Sequence, residues 1–150
     1  MAVETSEAAA WAGRPLADLI AHLVGTFHRP LPVMFDDAER ELRSVGSAAT
    51  AALAALDELR SELVAHMEKE EQILFPWILS ARGHTAGTPI RVMQLEHRDT
   101  LERLEQTLAL ARAALGDADR PHLDALERSL RTHIELEEDV LFPRALAPTR

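Results

Sequence analysis

HMEKEEQILFP at residues 66–76 returns almost unchanged as HIELEEDVLFP at residues 133–143, and both copies read H-x-E-x-E-E-x-[IV]-L-F-P. Upstream of each copy lies a further histidine followed by arginine, His28-Arg29 before the first and His97-Arg98 before the second. The chain therefore reads as two helical hairpins in tandem. Each hairpin offers one His from its first helix and an HxxxE pair from its second. Residues four apart stand one above the other on a helix face, so His66 with Glu70, and His133 with Glu137, can each reach a single point. Outward from these pairs the same faces are apolar. Leu59 and Leu63 precede His66, and Ile73 or Leu74 and then Trp77 follow Glu70; Leu126 and Leu130 precede His133, and Val140 or Leu141 follows Glu137. The partner helices carry Ile20, Val24, His28, Leu31 and Phe35, and Ile90, Met93, His97, Leu101, Leu104 and Leu108. All six polar residues, His28, His66, Glu70, His97, His133 and Glu137, are expected to point into the core.

Glycine marks the joints. Gly13, Gly46, Gly83 with Gly87, and Gly116 cut the chain into four long segments rich in Ala, Leu, Glu and Arg, residues that favour helix. The expected helices run over about 15–45, 48–79, 89–115 and 119–142. Thr88-Pro89 reads as a cap followed by a first helical residue, and Asp117 or Asp119 before Pro121 reads the same way. No run alternates apolar with polar residues as a half-buried strand would. The fold class is all-α, an antiparallel up-down-up-down four-helix bundle. Pro30 and Pro32 fall inside the first helix, so it either kinks just after His28 or is two helices in series. Phe75 and Phe142 read as core caps, and Pro76 and Pro143 as ends or kinks. Residues 1–12 are expected to form a flexible N-terminal arm, with Trp11 tucked against a four-helix domain over 13–147.

Composition removes several classes of function. A chain of 150 residues suits one domain with a real core. It has no cysteine, so disulfides, thiolate zinc sites, cysteine-held iron–sulfur clusters and a catalytic thiol are excluded. With 25 acidic against 16 basic side chains and a net charge of −9, nucleic acid is not an expected partner. The best apolar stretch, Leu16 to Phe27, is short and interrupted by Asp18 and His22, so no membrane partner is expected. The start, MAVETSEAAAWAGR, has acids where a secretory leader would carry Lys or Arg. A cytoplasmic monomer is the expectation.

A core with two carboxylates in it needs counter-charge. An unpartnered buried carboxylate costs several kcal/mol or takes up a proton, and two would use up much of a domain's roughly 5 to 15 kcal/mol of stability. Four imidazoles and two carboxylates match a pair of non-haem iron ions with both glutamates bridging and two His on each ion; manganese and zinc suit the same donors. With a shared oxo or hydroxo bridge, about two positions of two octahedral ions stay open. Open positions on a redox-active metal take small ligands such as dioxygen, nitric oxide or peroxide. Glu71, Glu96, Glu138 and Asp139 read as surface residues or as partners of the histidine N–H groups. His84 and His122 read as solvent-facing, and His22 as packing or as support for a ligand.

With those motifs in place, the sequence resembles the hemerythrin-like domains, and among them the C-terminal domain of the iron–sulfur cluster repair di-iron proteins. The segments that carry the likeness are HLVGTFHRPL at 22–31, HMEKEEQILFP at 66–76, PIRVMQLEHRDT at 89–100 and HIELEEDVLFPRAL at 133–146, within a stretch from about 15 to 147. The resemblance implies a bundle with a non-haem di-iron centre, ligated here by His28, His66, His97 and His133 and bridged by Glu70 and Glu137. It implies a role in restoring iron–sulfur clusters damaged by oxidative or nitrosative stress, with O2 or NO as small ligands and damaged iron–sulfur proteins as partners. Oxygen-carrying hemerythrins place HxxxH on the third helix and HxxxxD on the fourth. Here Leu101 stands four after His97, and the last pair is His133 with Glu137, which favours the repair type. A reversible oxygen carrier or sensor is the alternative, and redox turnover of NO or peroxide is a third reading. No histidine lies between His28 and His66, so the ion nearest the first helix is expected to be the more open. The usual Tyr before the first ligand is Phe27, and the chain has no Tyr at all.

Overall fold

The computed structural model describes residues 2–147. Four long helical rods run antiparallel, joined by short turns. The first is built of α2 (Leu16–His22), a π-helical segment (Leu23–His28) and α3 (Leu31–Arg43). The second is α4 (Thr50–Lys69), a π-helical segment (Glu70–Leu74) and α5 (Phe75–Leu79). The third is α6 (Gly87–Leu115). The fourth is α7 (Pro121–Leu136), a π-helical segment (Glu137–Leu141) and α8 (Phe142–Leu146). The segment expected to be an arm contains a helix, α1 (Ala2–Trp11), and Trp11 at its end is buried.

Each π-helical segment stops two residues before a proline, Pro30, Pro76 or Pro143. In a regular α-helix the proline ring meets the carbonyl four residues back, here that of Thr26, Gln72 or Asp139. One wider turn makes room for it, marked by i→i−5 hydrogen bonds from the N–H groups of Arg29, Phe75 and Phe142 to the carbonyls of Val24, Glu70 and Glu137. No helix therefore ends at these prolines. At Arg29 and Pro30 both residues keep right-handed helical angles, so the first rod continues through them without breaking. The added residue also shifts the buried face. Beyond Glu70 the buried side chains are Leu74, Phe75 and Ile78; of the alternatives Ile73 and Leu74 it is Leu74 that lies in the core, while Ile73 and Trp77, the latter expected on the core stripe, are 55% and 37% exposed.

Two helix starts differ from expectation. Thr88 and Pro89 lie within the first turn of α6, which begins at Gly87 after a 3-10 turn over Gly83–Thr85. Pro121 does open α7, but no aspartate caps it. Glu41 of α3 accepts from the N–H groups of His122 at 2.9 Å and Leu123 at 3.0 Å, the first donors after the proline. The cap thus ties the fourth rod to the first.

The core has two apolar halves. One gathers Leu31, Phe35, Leu59, Leu63, Leu104, Leu108, Leu126 and Leu130; the other Leu19, Leu23, Leu74, Phe75, Ile90, Met93, Leu141 and Phe142. On every rod one histidine sits where the two halves meet, between Leu23 and Leu31, Leu63 and Leu74, Met93 and Leu104, or Leu130 and Leu141. Among the described residues no helix is long and apolar enough to cross a membrane.

Candidate metal centre

All six sequence-nominated residues come together in the layer between the two halves, each no more than 4% exposed. His66 and His133 project near the ends of α4 and α7, one turn before Glu70 and Glu137, which open the π-helical segments. His28 closes the π-helical segment of the first rod, and His97 lies within α6.

The six form two quartets, His28, Glu70, His133 and Glu137, and His66, Glu70, His97 and Glu137. Within each, one potential ligand atom per residue lies within 4.8 Å of all the others. Both glutamates belong to both quartets. In the first, His28 Nε2 is 3.0 Å from His133 Nε2 and 3.2 Å from Glu70 Oε1, and His133 Nε2 is 3.1 Å from Glu137 Oε2. In the second, His66 Nε2 is 3.4 Å from Glu70 Oε2 and His97 Nε2 is 2.8 Å from Glu137 Oε1.

Short separation is not satisfaction. His66 Nε2, His97 Nε2, both Glu70 oxygens and Glu137 Oε1 are buried without a hydrogen bond among the described residues. Neighbours this close with lone pairs that do not meet are aimed at common points. Nitrogen and carboxylate donors gathered in this way fit cations of the iron, manganese or zinc type, and leaving them unpaired would cost several kcal/mol.

Carboxylates fix the outer face of three imidazoles. Glu71 lies 2.9 Å from His28 Nδ1, Glu96 2.9 Å from His66 Nδ1, and Glu138 2.7 Å from His97 Nδ1. An Nδ1–H donated to a carboxylate leaves the Nε2 lone pair facing inward, the tautomer a metal requires. Lys69 pairs with the same Glu96. Where Glu96 precedes His97, Phe27 precedes His28, and its ring stacks on His133 with centroids 5.8 Å apart. Phe75 and Phe142 stack on His28 and His97 at the same separation, so they hold imidazole rings as well as filling the core. A cleft of about 220 Å³ between α4 and α6, lined by Glu62, His66, Lys69, Glu96, Asp99 and Thr100, reaches the centre from its His66 side.

Protons balance the charge of these donors when metal is absent. Burial pulls the His133 imidazole down, but Glu137 and Glu70 outweigh it and hold its pKa up to about 10. His66 is raised in the same way, against burial, by Glu70, Glu137 and Glu96. Burial pushes Glu70 up, yet contacts with His133, His28 and His66 hold it well below the ordinary carboxylate value.

Other residues have different surroundings. His22 meets Glu7 and Thr26 and stacks on Trp11, away from both quartets; His84 and His122 are exposed. Glu71, Glu96 and Glu138, read first as surface residues and otherwise as partners of the histidines, lie on the histidines. The signal for two of them was the second glutamate of E-E in both copies of the repeat, one residue past a core position and so turned toward the neighbouring rod.

Comparison with known proteins agrees with this geometry. Residues 19–145 match the family described as Hemerythrin HHE cation binding domain. The chain is 32% identical to a protein of Pectobacterium carotovorum subsp. carotovorum (strain PC1) named iron-sulfur cluster repair protein YtfE, across 97% of this chain and 73% of the relative. Proteins of the same name from Musicola paradisiaca (strain Ech703) and Salmonella schwarzengrund (strain CVM19633) are 34% and 36% identical, each across 91% of this chain and 68% and 69% of the relative. The chain therefore belongs to the hemerythrin HHE cation binding domain family and carries a metal-binding site.

Proposed function

We propose that the chain holds two non-haem iron ions, one in each quartet, and serves in the response to oxidative or nitrosative stress by binding NO or O2 and supporting the repair of iron–sulfur clusters. His28 and His133 would hold one ion and His66 and His97 the other, with Glu70 and Glu137 shared between the two. The observation that carries this reading is the pair of quartets sharing both glutamates, with five buried donor atoms left unpaired. The relatives' name, iron-sulfur cluster repair protein, supports the physiological part.

When bound, the metal pair supplies electrons and coordination positions for a diatomic ligand. The protein contributes position and environment. Glu71, Glu96 and Glu138 hold the Nδ1 protons outward. Phe27, Phe75 and Phe142 stack on three of the imidazoles and keep water from those rings. The cleft beside His66 gives a polar approach from solvent. The oxygen-carrier alternative is not favoured, since Leu101 stands where a further ligand would be and the relatives are named for repair.

Metal analysis with an absorption spectrum tests the centre. Two irons per chain and a bridged di-iron band are expected. Revival of a nitric-oxide-damaged iron–sulfur enzyme by the iron-loaded protein, and not by the metal-free one, tests the role. A protein that refuses iron removes the first claim, and iron-loaded protein without effect on the damaged enzyme removes the second.

A further inference from the structure

We propose that Trp11 is the outlet for oxidising equivalents reaching the centre, and is the residue modified when a peroxide meets the iron-loaded protein with no other reductant present. This rests on the iron reading above. Four rings run in file from the polar layer outward to the end of α1. Phe27 stacks on His133 with centroids 5.8 Å apart and planes inclined by 15°; His22 meets Phe27 edge-on at 5.5 Å; Trp11 stacks on His22 at 4.6 Å. All three separations lie in the range of direct ring contact. The file is anchored at its outer end, where Arg144 donates to the carbonyls of Trp11 and Arg14 and the Arg14 guanidinium lies 4.1 Å above the Trp11 ring.

The chain has no Tyr and no Cys, and its two tryptophans are its most readily oxidised aromatic rings. They sit in contrasting places. Trp11 is 8% exposed at the end of the file, whereas Trp77 is 37% exposed, donates its indole N–H to Thr85 and has no ring contact among the described residues. Exposure alone favours attack on Trp77; connection to the centre favours Trp11.

The step balances as follows. Hydrogen peroxide takes two electrons and two protons and becomes two waters. The Trp11 indole gives both electrons in two one-electron steps. The first leaves with the N–H proton and gives a neutral radical; the second leaves as a water adds its oxygen to the ring and releases the other proton, so that one oxygen atom is gained and the iron pair ends in the state in which it began. The guanidinium above the ring disfavours a positively charged indole, which couples loss of the electron to loss of the proton.

Treatment of the iron-loaded protein with excess peroxide, with a chelator to hold any leached iron, followed by peptide mass spectrometry, gives the test. Trp11 is expected to gain oxygen several-fold more than Trp77. In zinc-loaded protein, whose metal does not change oxidation state, that excess disappears. His22→Leu, which removes the ring between Trp11 and Phe27, cuts Trp11 oxidation several-fold at unchanged iron content, and Phe27→Leu is a second interruption of the same file. Oxidation that follows exposure, with Trp77 ahead, or that persists on Trp11 in both variants, overturns the proposal. Iron content measured on the same samples separates this failure from failure of the iron reading: a protein without iron sinks the latter, whereas iron-loaded protein with Trp77 oxidised first sinks only the outlet.

Discussion

Raising the pH is expected to destabilise the metal-free protein and to leave the metal-loaded protein nearly unchanged. The perturbation acts on His133, whose imidazole is fully buried beside Glu70 and Glu137 and titrates near 10 rather than at the ordinary 6.5. A group raised in the folded state contributes its full stabilisation below the unfolded value and loses it as the pH climbs through the folded one. Between pH 6.5 and 8.5 the loss from His133 alone is about 2 kcal/mol. His66, raised in the same direction, adds to it. For a domain of this size each kcal/mol moves Tm by roughly 2–4 °C, so a fall of about 4–8 °C is expected. Bound metal replaces the proton on the ring nitrogen, so that term vanishes and the stabilisation given by metal grows with pH. Calorimetric melts of chelator-stripped and metal-loaded protein at the two pH values provide the measurement. A metal-free Tm that stays flat or rises over this window would refute the assignment of a protonated imidazole to the core.

Three further outcomes follow from the same geometry. Glu70→Ala should remove a donor from both quartets and bring bound iron below one ion per chain, whereas His66→Ala should spare the His28 and His133 quartet and retain about one, as read by metal analysis. Glu96→Ala takes the acceptor from His66 Nδ1 and should weaken metal affinity by about 10–100-fold in a competition titration, with the helical circular dichroism intact. Glu41→Ala frees the first two N–H donors of α7 and should cost about 1 kcal/mol, visible as a lower Tm in metal-free and loaded protein alike.

The repeat at 66–76 and 133–143 determined much of this protein before any coordinates. A period of four between His and Glu needs only helix geometry to put both side chains on one face. The apolar residues in register with them required that face to be buried. Hence the all-α bundle, the six inward residues and the need for cations follow from the chain alone. Local periodicity leaves Ile73 and Leu74 as alternatives on the core face and adds Trp77 because it assumes a constant turn; the extra residue in the turn before Pro76 buries Leu74 and leaves Ile73 and Trp77 exposed.

Which histidine faces which is settled by the packing of the rods. His28 of the first rod meets His133 of the fourth, and His66 of the second meets His97 of the third, a choice made by which rods pack side by side. The carboxylates on the imidazole backs, the Glu41 cap on α7 and the file from Trp11 to His133 likewise join residues far apart in the chain. Sequence spacing fixes direction within one helix because the backbone hydrogen bonds do so. Contacts between helices depend on how whole apolar faces pack, and no single segment encodes that.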